Sequence, residues 1–154
     1  MGLDMYLTKR TYVKNWDRQK PADRHVITIT HGDGSPCTVQ ASRIKEVVEE
    51  VMYWRKANHI HRWFVENVQG GEDDCRTSTV SRSQLEQLAR LCHQVLAKPE
   101  RAPVILPTGE GFFFGGTEYD KWYFSECKRT AEALEALLLE SGAWHGYFQY
   151  HAAW

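Results

Sequence analysis

Residues 43–68 read RIKEVVEEVMYWRKANHIHRWFVENV, and the fold turns on where this stretch changes structure. Its first half admits two readings. Ile44, Val47, Val48, Val51 and Met52 fit a helical stripe, yet the same valine-rich run over 43–54 suits a long edge strand. The two halves do not share one helical phase. A helix continued through Trp54 would set Ile60 and Phe64 on the side opposite Val48 and Val51. The spacing therefore predicts a break near Tyr53–Lys56, followed by a short helix over 56–68 that Gly70-Gly71 stops.

Upstream, Leu3, Met5 and Leu7 alternate with Asp4, Tyr6 and Thr8, the pattern of a half-buried strand. Residues 24–30 (RHVITIT) and 37–41 (CTVQA) are β-rich and flank GDGSP, which predicts a hairpin turning at Asp33-Gly34. Downstream, residues 76–80 suit a strand. Ser81 with Gln84 three positions on makes a capping box for a helix carrying Leu85, Leu88, Cys92, Val95 and Leu96, which Pro99 ends. Thr117 is the expected cap of the longest helix, about 118–141, striped by Tyr119, Tyr123, Thr130, Leu134, Leu137 and Leu138 and stopped by Gly142. The tail WHGYFQYHAAW suits a last strand. Strands and helices do not alternate regularly. The expectation is a single α+β domain over 1–154, with a mostly antiparallel sheet and about three helices on one face.

The chain has 154 residues, 42% apolar and 25% charged, which fits one globular domain with a real core. A net charge of -1 supplies no global attraction to nucleic acid or membrane, so any such attraction must be local. Six Trp, seven Tyr and six Phe exceed what a core of this size needs and suit a surface that is both apolar and hydrogen-bonding. Cys37, Cys75, Cys92 and Cys127 form no metal-ligand spacing, and reduced thiols in a cytoplasmic setting are expected. No stretch has the length of a membrane span or the form of a signal peptide. Neither metal nor cofactor is expected.

Residues 53–64 (YWRKANHIHRWF) are cationic and aromatic. Arg55, Lys56 and Arg62 supply charge, and Trp54 and Trp63 supply stacking area beside His59. On a helix from Lys56, His61 shares a face with Ala57, Ile60, Phe64 and Val68, so it reads as a buried, hydrogen-bonded histidine. Gly115, Gly116 and Thr117, in a Gly-rich loop entering a helix, can present backbone N–H groups to an anion. Thr117 stands where a P-loop lysine belongs, which excludes that chemistry. Lys9, Arg10, Lys14, Trp16, Arg18 and Lys20 make a basic, aromatic segment suited to single-stranded nucleic acid, against the alternative of a solvated linker. There is no GxSxG elbow, and none of the seven histidines has Ser or Thr two positions later. A spatial Cys–His pair, such as Cys75 with His59, stays open.

The stretches MGLDMYL (1–7), YWRKAN-x-IH-x-WF (53–64) and GFFFG-x-T-x-YD (111–120), with Asn67, Val68, Gln69 and Cys75 between them and an aromatic tail ending in Trp, resemble a group of small uncharacterised proteins of bacteriophages and prophage-bearing bacteria. The likeness covers most of the chain. It implies a small accessory protein that binds and blocks a host component, such as a defence protein or its nucleotide signal, and it carries no catalytic residues over. The leading expectation is thus a non-catalytic binding protein acting through Trp54, Arg55, Lys56, His59, Arg62, Trp63, Gly115, Gly116 and Thr117. Homo-oligomerisation would suit a nucleotide sponge. The first rival is an enzyme on nucleotides or nucleic acid, with His59 or His61 as acid/base and Arg55 or Arg62 on phosphate. The second is a single-strand binder through residues 9–20.

Overall fold

The computed structural model describes residues 2–140 and 146–154. The opening alternation forms strand β1 (Asp4–Tyr12); Met5 and Leu7 in it, and Leu3 just before it, are sealed, while Tyr6 and Thr8 are half-buried. Residues 43–54 resolve as strand. β2 (Glu46–Arg55) pairs antiparallel with β1, setting Met5 beside Trp54 and Leu7 beside Met52. The register slips between Leu7 and Thr8, leaving Val51 unpaired in a bulge. Pairing along β1 therefore outweighs the helical stripe, which has only five residues to bury.

The break falls at Lys56, which takes a left-handed φ of 56°. Helix α1 (Asn58–Asn67) starts two residues later than the sequence suggests, and Gly70 and Gly71, with φ of 69° and 84°, turn the chain away from it. β3 (Ser78–Val80) follows. Ser81 and Gln84 form the expected reciprocal capping box on α2 (Arg82–Ala97), which buries Leu85, Leu88, Ala89, Cys92 and Val95. A single turn, α3 (Ala102–Ile105), precedes α4 (Lys121–Leu139). The last strand, β4 (Gly146–Ala153), pairs antiparallel with β1 and with β3, giving the order β2-β1-β4-β3. The expected stop at Gly142, and Trp144 and His145 of the tail, lie outside the described residues.

Two expectations are corrected. Thr117 does not cap α4; Asp120 does, its Oδ1 accepting from the Tyr123 N–H at 3.0 Å. A carboxylate at the N-cap also complements the helix dipole, which a threonine cannot. The hairpin around Asp33-Gly34 shrinks to one bridge, Thr30 with Pro36, over a turn in which Asp33 accepts from Ser35. Its apolar residues find no partner surface: Val26 is 93% exposed, and Ile29 and Val39 also face solvent. Alternation without a core to bury against does not make a strand.

The helices, four rather than about three, cover one face of the sheet. Phe64 of α1 stacks on Tyr150 of β4 with ring centroids 3.8 Å apart, a pair worth about 1 kcal/mol beyond its burial. Trp54 donates its indole N–H to Thr130 Oγ1 of α4 at 2.8 Å. The opposite face of the sheet is open, with Tyr6 between Tyr53 and His151. All four cysteines are free thiols, and no described helix is long and apolar enough to cross a membrane.

Candidate functional site

Where β2 ends, Arg55 and Lys56 meet the Gly-rich loop that precedes α4. The positive φ at Lys56 turns its side chain out of the strand's alternation and lays it across two glycines. A Cβ added at Gly115 would stand 3.1 Å from Lys56 Cβ, and one at Gly2 would stand 3.3 Å from Lys56 Cε. Gly115 itself has φ of 87°, a conformation that side chains rarely adopt. Asn58, in the first turn of α1 and fully buried, fastens both ends of the loop. Its Nδ2 donates to Phe114 O at 3.1 Å and Gly116 O at 2.8 Å, and its Oδ1 accepts from Gly109 N at 3.1 Å.

The result is a concavity of about 410 Å³ bordered by Arg55, Lys56, Gly115, Gly116, Asp120 and Trp122, with Glu118 at its rim. Arg55 is held loosely, 3.8 Å from Asp4. Among the described residues Lys56 makes no ion pair. Trp122 is 42% exposed. Asp120 is committed to the cap of α4, so of the carboxylates only Glu118 is unengaged there. The pocket offers charge for an anion, backbone for close approach and one indole for a planar group.

Of the nine residues expected to bind, the structure brings together Arg55, Lys56, Gly115 and Gly116. Trp54, His59 and Trp63 are corrected to core positions, because β2 and α1 turn them toward the helices and the sheet. Arg62 is drawn elsewhere, donating to Glu66 Oε1 at 2.8 Å and to Thr108 O at 2.9 Å. Thr117 does not border the pocket; its carbonyl accepts from Thr108 Oγ1. Sequence reasoning missed Trp122 and Asn58. Nothing local marks Asn58, whose partners lie more than fifty residues downstream, and the expected cap at Thr117 hides Trp122.

His61 is buried and hydrogen-bonded, in line with its place on the apolar stripe. Its Nδ1 lies 2.7 Å from Tyr150 Oη and its Nε2 2.9 Å from Asp73 Oδ2, while Asp73 Oδ1 accepts from Trp154 Nε1 at 3.1 Å. Burial lowers the pKa of His61, opposed by Asp73, so the ring is neutral. Nε2–H then donates to Asp73 and Nδ1 accepts from Tyr150, whose own pKa burial pushes far up. Both ring nitrogens are committed, leaving no lone pair for a substrate. His61 shares a cleft of about 280 Å³ with Arg62, but Glu66, Asp73 and Glu110 outnumber that cation and oppose a phosphate. Arg55 lies elsewhere.

His59 is sealed as well, with neither ring nitrogen in a hydrogen bond of normal geometry. Its ring lies 4.3 Å from that of Tyr123. The cysteine it influences is Cys127, not Cys75. The Cys92 thiol, first, and then His59 and Tyr123 draw the Cys127 pKa down to about 6 against the effect of burial. Cys92 is raised in turn by the same contact and by burial. Cys127 is fully buried on α4, so this polarised thiol has no path to a substrate.

In the basic segment, Lys9 pairs with Glu140 at 3.0 Å and Arg10 with Glu46 at 3.1 Å, while Lys14, Trp16, Arg18 and Lys20 face solvent. Among the described residues no group of three or more His, Cys, Asp or Glu could hold a metal ion. No protein-family model, curated protein or solved structure matches this chain.

Proposed function

We propose that the protein is a phage-type accessory protein that captures a host component without converting it. The ligand class best matched is a small anion with a planar ring, as in a nucleotide signal. One observation carries this reading. Lys56, without an ion-pair partner among the described residues, converges with Arg55, two glycines and the half-exposed Trp122 on one concavity, while His59 and His61 are sealed. A phosphate between Arg55 and Lys56 would gain charge-assisted contacts, and a base would stack on Trp122. Glu118 and Asp120 would repel a ligand charged all round, favouring one whose charge sits at a single end, between Arg55 and Lys56. The likeness of residues 1–7, 53–64 and 111–120 to phage proteins supplies the setting, an inhibitor or sink inside an infected cell.

The test is calorimetric titration with mononucleotides and cyclic dinucleotides, comparing the wild-type chain with Lys56→Ala and Trp122→Ala. Each substitution is expected to weaken the best ligand at least tenfold, about 1.4 kcal/mol. The ligand is expected to return chemically unchanged after prolonged incubation. Turnover, unchanged affinity in both variants, or no nucleotide binding at millimolar concentration would each overturn the proposal.

A further inference from the structure

The segment joining β1 to β2 is long and has almost no regular structure, yet part of it is built firmly. Asn15 bonds the backbone of His25 in both directions: Nδ2 donates to His25 O at 2.8 Å, and Oδ1 accepts from His25 N at 2.9 Å. This closes residues 15–25 into an Ω-like loop packed by its own side chains. Arg24 turns inward and donates to three carbonyls, those of Gln19, Trp16 and Asp17. Gln19 accepts from Trp16 N and donates to Asp23 O. One cation and two amides are thus spent on holding the loop's shape.

What the loop leaves outward is of one chemical kind. Tyr12, Trp16, Arg18, Lys20 and His25 border a concavity of about 630 Å³. Trp16 is 59% exposed and Tyr12 is 40% exposed, well beyond what packing requires of rings this size. Arg18 and Lys20 make no ion pair among the described residues, unlike Lys9 and Arg10 in the strand before them. Tyr147, opposite Arg10 on the open face of the sheet, adds a further exposed ring on the side of Tyr12. Asp23 is the one carboxylate on the border, a group that accepts from a base amino group and repels a phosphate.

We infer that this loop is a second binding surface, separate from the Arg55–Lys56 pocket, and that its ligand is a short stretch of single-stranded nucleic acid. Two successive bases stack on Trp16 and Tyr12 while Arg18, Lys20 and His25 track the backbone between them. Stacked rings with interleaved cations suit a strand whose bases are free, since a duplex hides its base faces. An acidic protein would use the cations but would gain little from two rings standing clear of the surface. The loop's internal hydrogen bonds hold the arrangement in place before binding, which reduces the ordering cost that a flexible basic linker would meet. A chain of net charge -1 has no general attraction for polyanions, so the binding must be local and weakly steered.

The experiment is fluorescence anisotropy of a labelled ten-nucleotide oligothymidine against the full chain, from 25 to 200 mM salt. The two cationic contacts, from Arg18 and Lys20, predict a slope of log affinity on log salt of about -1.4. Trp16→Ala should weaken binding at least tenfold with little change in that slope. Arg18→Ala/Lys20→Ala should weaken it and flatten the slope by about 1.4. All three positions are solvent-exposed, so folding is expected to be retained, with circular dichroism as the check. Trp122→Ala, in the other pocket, should leave oligonucleotide binding unchanged, which separates this inference from the proposed function. Several results would overturn it: no wild-type binding at 25 mM salt, a flat salt response, a Trp16→Ala variant that binds like wild type, or equal affinity for polyglutamate.

Discussion

Asn58 is the residue on which the shape of the Arg55–Lys56 pocket depends, and removing its amide makes a quantitative test. Three hydrogen bonds leave the fully buried side chain: to Phe114 O, to Gly116 O and from Gly109 N. Each is worth about 1 kcal/mol net when its partners stay buried. Gly116 is exposed, so water replaces that bond at little cost, while Phe114 and Gly109 are harder to satisfy. Asn58→Ala should therefore cost about 2 kcal/mol. For a chain of this length that lowers Tm by roughly 4–8 °C. Asn58→Asp should be no better, because its carboxylate would face two carbonyls with no donor. Denaturant melts give the energy, and hydrogen exchange gives the place: the Gly109 amide, which donates to Asn58, should exchange faster while those of β1 and β4 keep their relative order. A loss below about 0.5 kcal/mol with unchanged exchange at Gly109 would refute the claim that Asn58 fastens the loop.

Two further outcomes follow from the buried groups. The lowered pKa of His61 means that the unfolded chain binds this proton more readily than the folded one. The stability tied to it is therefore complete above the unfolded value of about 6.5 and is lost as pH falls below it toward the folded value, by up to about 1.4 kcal/mol per pH unit. Urea melts from pH 7.5 to 5 should show wild type losing more stability than His61→Gln, and parallel curves would contradict the assignment. Trp54→Phe deletes the donor to Thr130 Oγ1 and should cost about 1–3 kcal/mol while leaving ligand affinity unchanged. Lost affinity with intact stability would mean that Trp54 is a surface residue after all.

Local signals predicted those elements whose residues both start and stop them. Ser81 with Gln84 marked α2, the alternation of Leu3, Met5 and Leu7 marked β1, and Gly70-Gly71 marked the end of α1. The broken helical phase at Lys56 was also visible, because a stripe that changes sides cannot serve one core. Residues 43–54 were not decidable, since only their pairing with β1 selects strand over helix. The hairpin failed for the converse reason: RHVITIT carries strand propensity, and no apolar surface comes to meet it. The site was half legible. Arg55, Lys56, Gly115 and Gly116 converge in the structure, but Trp54 and Trp63, which read as stacking area beside those cations, are buried. Burial depends on which way a strand faces, and a one-residue bulge at Val51 helps set that for the end of β2.

That bulged strand has a bearing on how copies of the protein behave together. β2 ends the sheet, its outer edge pairing with no other strand among the described residues, the arrangement that most readily recruits a strand from a neighbouring molecule. Three features oppose recruitment. The bulge interrupts the flat hydrogen-bonding ladder, Arg129 of α4 already occupies the Tyr53 carbonyl at 2.9 Å, and Glu49 and Glu50 make no ion pair among the described residues. Two such edges meeting head to tail would set these glutamates against one another, so edge-to-edge polymerisation is guarded against in the sequence itself. An assembly that avoids this edge would make its contact through side chains rather than backbones, as the tyrosine-lined open face of the sheet allows.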